Sequence, residues 1–86
     1  MLMNRTERIP VKTKEYVLTG SDTEINTEGL EAIIFADGGD IRLKAMKNAD
    51  DADAFIIKDG TYASLGGRFW LSGSGASAYI CFCDLF

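Results

Sequence analysis

The sequence contains no histidine, a single proline, Pro10, and only two cysteines, Cys81 and Cys83. Without histidine, no His-activated serine or cysteine nucleophile can be assembled, and the side chain that titrates nearest neutrality is missing. A carboxylate pair is the remaining route to acid–base chemistry. The acids fall in segments that read as turns and loops, where solvated charge is the ordinary state. The expectation is a protein that is not an enzyme and carries no cofactor.

Long apolar runs are missing too: no stretch of about 18 apolar residues exists, so no membrane-spanning helix is expected. The opening MLMNRTERIP lacks the apolar stretch of a secretory signal, which points to synthesis in the cytoplasm with both thiols reduced. Basic residues are scarce outside the start, where Arg5, Arg8, Lys12 and Lys14 outnumber Glu7 and Glu15. From residue 20 to residue 40 there are six acids and no base. A nucleic-acid binder needs a clustered basic face, which an acidic chain of formal net charge -4 does not offer. The basic start reads as a flexible arm, residues 1–14, before one domain over residues 15–86.

What is present is 86 residues with 47% apolar and 26% charged side chains, the composition of one folded globular domain. A domain this small buries only about 60 to 65% of the surface of its unfolded chain, so help from a partner subunit is in keeping with its size. Strands are expected at YVLT (16–19), AIIFA (32–36), IRLKA (41–45), FIIK (55–58), more weakly at TYASL (61–65), then RFWLS (68–72) and from residue 78 to the end. GSDTEINTEG, between the first two, reads as a turn-rich connection, and DGGD as the turn of a hairpin joining 32–36 to 41–43. Helical spacing of Leu30, Ile33 and Ile34 competes with a strand there, but Gly29 and the Ile-Ile-Phe run favour a sheet. MKNADDADA reads as a surface loop. Pro10 is placed ahead of the first strand, where it removes no ladder bond. Short strands with glycine turns predict an all-β fold, a small antiparallel β-sandwich of jelly-roll type or a partly closed barrel.

Four features raise binding chemistry. Asn48, Asp50, Asp51 and Asp53 offer oxygen ligands for calcium, but the glycine and closing glutamate of an EF-hand loop are missing, so a solvated acidic turn is the first reading and no metal site is assigned. GSGASA (73–78) mimics a dinucleotide fingerprint, yet too little chain follows it for the helix and strand that give such glycines meaning, and it reads as a flexible hairpin turn. Cys81 and Cys83 project from one face of a strand with Cα atoms about 6.6 Å apart, badly aimed for a disulfide and too few for zinc; buried small apolar residues are the plain reading. Trp70, with Tyr62 and Tyr79 near it in composition, is the candidate platform for a ligand such as a glycan, if its ring is exposed.

The tail is the fifth feature. From Tyr79 to Phe86 only Asp84 is polar. Tyr79, Cys81, Cys83 and Leu85 face one way, while Ile80, Phe82, Asp84 and Phe86 face the other, so both faces need cover. A second copy of the chain supplies it most economically, making Tyr79, Ile80, Cys81, Phe82, Cys83, Leu85 and Phe86 candidate interface residues of a homo-oligomer. The alternative is a central strand covered by the chain's own loops.

The run from Val17 to Phe82 resembles the small β-sandwich domains that tailed bacteriophages and prophages use as head fibres or capsid decoration proteins. The resemblance is carried by Ile25-Asn26-Thr27 with Gly29, the strand 32–36 with Gly38-Gly39, the turn at Gly60, and the aromatic strand 69–72 leading through a Gly-Ser turn. It implies a non-enzymatic virion structural protein, often a trimer, attached to a capsid through its N-terminal segment. The C-x-C strand and the acidic loop 48–53 depart from that pattern. A binding module for glycan or calcium is the alternative.

Overall fold

The computed structural model describes residues 7–85, without the side chain of Leu85. The fold is all-β, as the strand periodicity predicts. Six strands, β1 (Arg8–Val17), β2 (Thr23–Asp37), β3 (Ile41–Lys44), β4 (Phe55–Ile57), β5 (Tyr62–Ser72) and β6 (Ser77–Leu85), form one antiparallel sheet in the order β1-β6-β2-β5-β3-β4. Its outer strands, β1 and β4, do not pair, so the sheet is not closed into a barrel. Among the described residues no helix is long and apolar enough to cross a membrane.

β2 runs fifteen residues straight through the segment expected as a turn-rich connection. The turn residues are there because the strand carries a bulge: four residues, Thr27 to Leu30, stand opposite the single Gly67 of β5. Glu28 and Gly29 take the left-handed conformation, φ 52° and 87°, and the Asn26 Oδ1 accepts the Glu28 N–H at 3.0 Å. Three extra residues are an odd number, so the side chains change face across the bulge. Ile25 before the bulge and Thr27 at its first position point inward, whereas Ala32, Ile34 and Ala36 do so after it. Gly66-Gly67 likewise lies within one strand, β5, where the sequence suggested a break between two.

Topology departs from expectation in the pairing. Residues 32–36 and 41–43 do not form a hairpin: β3 lies beyond β5 and pairs with it and with β4. The edge of β2 that β3 needed is already taken, since Ala36 donates to the Thr61 carbonyl at 3.0 Å and accepts from Gly60 N–H at 2.8 Å. Gly38 and Gly39 keep their positive φ, but in a turn that crosses β5. The Gly73–Ala76 segment crosses β2 in the same way and is no flexible hairpin turn. Gly73 donates to Thr19 O, Gly75 to Leu18 O and Leu18 to Ala76 O, at 2.8, 3.1 and 2.8 Å.

The expected arm is a strand from Arg8 onward, paired with β6 across nine registered positions, and its part before Glu7 lies outside the described residues. Pro10 therefore sits inside β1, at a register shift next to Lys12, which is where an edge strand tolerates a missing donor. Charged side chains along this edge explain why the sequence resembled an arm, and they also discourage edge-to-edge pairing.

A single sheet covers its own inner face only by curling. Leu18, Ala32, Ile34, Ile41, Leu71, Ala78 and Ile80 are each at 1% exposure or below in one continuous core with Phe69 and Phe82. The stem of Lys12 closes the β1 side, its ammonium 5.1 Å from the centroid of the Phe82 ring.

Candidate functional site

β6 is a central strand, flanked by β1 and β2. The alternation expected along it is present, but the two faces have different fates. Ile80 and Phe82 point into the monomer core, and Cys83 is also buried, so none of the three is available as an interface residue in the folded monomer. Phe86 and the side chain of Leu85 lie outside the described residues. Tyr79, 39% exposed, and the half-buried Cys81 remain on the outer face.

On that face the registers bring together residues that sequence reading left apart. Phe35 of β2 stands opposite Tyr62 of β5 on one side and Tyr79 of β6 on the other. The three rings form a row across the middle of the sheet, at 70%, 40% and 39% exposure for Tyr62, Phe35 and Tyr79. In the next row Ile33 lies between Ser64 and Cys81. The strand order that creates the row is non-local, but one signal was legible: within AIIFA the inward positions 32 and 36 are alanines, whereas Ile33 and Phe35 share the opposite parity. Glu15 stands beside Tyr79 on β1 and takes the Ser77 hydroxyl at 3.1 Å. A hydrogen bond to Glu15, and the charge of its carboxylate, push the Tyr79 phenol above its ordinary range.

The other candidates separate. Trp70 is buried, at 9% exposure, with the Arg68 guanidinium 5.8 Å from its ring centroid, so it offers no open platform. The loop after β3 contains one 3-10 turn, Asp51–Asp53, and it serves a lysine. Lys44, 6% exposed, places Nζ 2.9 Å from Asp51 and 3.1 Å from Asp22. Donating hydrogen bonds to Asp51 and Asp22 raises its pKa, and the same contact lowers that of Asp51. Asp51 is thereby engaged, and among the described residues no group of three or more acidic or thiol side chains is placed to hold a metal ion.

Cys81 and Cys83 are both free thiols, their sulfurs 3.6 Å apart on one face. Burial, then the hydrogen bond with Cys81, pushes the Cys83 thiol up, the opposite of what a reactive thiolate needs. Glu31 stands on the next strand, held by Arg8 at 2.9 Å and by the Ser64 hydroxyl.

No protein-family model and no curated protein matches this chain. Among solved structures, protein NMB1881 from Neisseria meningitidis is similar in fold, with a TM-score of 0.61 over 95% of this chain and 87% of that one, at 11% identity. At that identity the likeness speaks for the shared fold alone.

Proposed function

We propose that the chain is a non-enzymatic assembly domain that associates with further copies of itself through the outer face of its sheet. The observation supporting this reading is the exposed row Tyr62, Phe35 and Tyr79, with Ile33 and Cys81 beside it. Aromatic rings give a large, rigid contact area at low cost in side-chain entropy, and they are enriched at the centres of protein interfaces. Among the described residues this row stays exposed. Closed symmetry brings the same row from each copy together, in a dimer or, as the resemblance suggests, a trimer. The finer reading, a capsid decoration or head-fibre domain of a phage or prophage that docks on a larger particle, rests on strand-and-turn order alone.

Native mass from light scattering coupled to size exclusion tests the reading. The expected result is a closed oligomer for the full chain, and a single-chain mass for the Phe35→Thr, Tyr79→Thr double variant with an unchanged far-UV spectrum. A single-chain mass for the unaltered protein at high concentration overturns it.

A further inference from the structure

We infer that the cleft between the two crossing turns binds a small anion, a molecule carrying a carboxylate or phosphate group, with Arg42 as its principal partner. The turn after β2 and the turn after β5 meet closely: a Cβ on Gly73 would stand 3.3 Å from the Asp40 carbonyl oxygen, and one on Gly39 would stand 3.4 Å from the Ala76 Cβ. Beside this junction the chain leaves a cleft of about 320 Å³, lined by Gly39, Asp40, Arg42, Ile56, Lys58 and Ser74. That volume suits a small ligand.

Arg42 is half-buried on β3, opposite Ile56 on one side and Ser72 on the other. Its side chain makes no hydrogen bond or ion pair among the described residues. The neighbouring carboxylates are engaged elsewhere. Asp40 accepts the Asp59 N–H at 2.9 Å and meets Lys58 at 3.5 Å, while Asp51 meets Lys44 at 2.9 Å. A planar guanidinium with five donors and weak hydration is the group that best recognises a flat or tetrahedral oxyanion in two-point contact.

The remaining wall fits the same ligand. Lys58 is 72% exposed in a long contact with Asp40, the kind of surface pair that contributes little and exchanges readily, so its ammonium can turn to an incoming anion. Two cations and one carboxylate line the wall in a protein of formal net charge -4, and Asp51 lies within electrostatic reach of Arg42. The exposed Ser74 hydroxyl adds a donor, and Ile56, 38% exposed, offers an apolar surface to the ligand body. None of these residues belongs to the aromatic row, so the inference stands apart from self-association.

The test is an NMR titration of the full chain in low-chloride buffer, one arm with inorganic phosphate and one with succinate, reading the Arg42 Nε–H and the Gly39 and Ser74 amides. Saturable shifts at these three groups are expected in at least one arm, and the responding arm identifies the head group. Arg42→Gln should weaken the response about tenfold and Lys58→Gln by less, with the dispersed spectrum of the folded protein retained. Shifts that fail to saturate in both arms, or that Arg42→Gln leaves unchanged, overturn the inference.

Discussion

Thr27 and Gly67 are joined by two hydrogen bonds: the Thr27 hydroxyl accepts the Gly67 N–H at 2.8 Å and donates to the Gly67 carbonyl at 3.1 Å. One side chain thus replaces the ladder partners that Gly67 loses where the bulge interrupts β2. The same bulge flips the facing of β2 and so decides that Phe35 points outward while Ile34 points into the core. The aromatic row depends on this pair.

Thr27 is 1% exposed, so Thr27→Val keeps the shape and removes both hydrogen bonds to the exposed Gly67. A loss of about 1–3 kcal/mol is expected, seen as a lower urea midpoint at unchanged slope. Thr27→Ser, which retains the hydroxyl, should lose about 1 kcal/mol for its missing methyl. Equal losses for the two variants would show that the hydroxyl does not hold the bulge.

Lys44 anchors the acidic loop to the sheet through Asp51 while Asp22 secures it from the other side. Lys44→Met leaves Asp22, whose side chain is 15% exposed, without its cation, whereas Asp51→Asn removes a partner that is 68% exposed. Removing the lysine should therefore lower the denaturation midpoint more than either acid-to-amide change. Adding calcium should leave the midpoint of the unaltered protein where it was; a calcium-dependent rise would restore the cation reading of residues 48–53.

Local character was legible in the sequence, and long-range pairing was not. The runs expected at 32–36, 41–45, 55–58, 68–72 and from 78 each hold a strand, observed through 44 in the second, 57 in the third and 85 in the last, because side-chain alternation is a local property. The parity along β6 was legible for the same reason. Partner choice depends on which strand edges are already occupied, and only β3 and β4 are neighbours both in sequence and in the sheet. The glycines at 29 and 67 read as chain reversals because left-handed φ serves a bulge and a turn equally well. Tyr79 was singled out through its place in an apolar tail, but its companions Phe35 and Tyr62 come from distant segments. Arg42 reads in the sequence as an outward residue alternating with Ile41 and Leu43, and Lys58 as the end of a strand, since single cations at strand positions ordinarily denote a solvated face.

With no histidine in the chain, stability should be nearly flat from about pH 5 to pH 9. Below that, Glu31, Asp40 and Asp51 matter, each lowered from ordinary values of 4.5, 3.8 and 3.8. The main causes are the Ser64 hydroxyl, the Asp59 N–H and the Lys44 ammonium respectively. A carboxylate lowered by folding stabilises fully above its unfolded pKa, and that contribution is lost as pH falls through the folded value. Thermal midpoints should thus begin to fall below about pH 4.5 and keep falling under pH 3.8, and Glu31→Gln should make the upper part of that decline shallower. Alkali acts with the opposite sign: Tyr79 and Lys44 are raised, so their contributions persist below about pH 10 and are lost above it. A step in stability between pH 6 and 7 would contradict this assignment.

The two thiols should report their faces. Cys83 is 1% exposed and its thiol is pushed up by burial, while Cys81 is half-buried on the outer face. In the native state an aromatic disulfide reagent is expected to label Cys81 slowly and Cys83 only on unfolding, with Cys81→Ser removing the native reaction. Rapid labelling of both would indicate a redox or metal function. If the oligomer forms as proposed, the rate at Cys81 should also fall as protein concentration rises, because the partner copy covers it.

Trp70, the one tryptophan, reports on the discarded platform. Its ring is buried with the Arg68 guanidinium 5.8 Å from its centroid, so its emission should lie to the blue of free indole and acrylamide should quench it weakly in the native state. Simple sugars should change neither property. The Tyr62 and Tyr79 rings, by contrast, are exposed, and tyrosine quenching should follow the oligomeric state. A glycan that shifts tyrosine emission while Trp70 stays silent would move ligand recognition onto the aromatic row and compete with self-association. Self-association alone predicts that the Phe35→Thr, Tyr79→Thr variant exposes Tyr62 to quencher while leaving Trp70 as protected as before. Those two signals separate loss of the interface from loss of the fold.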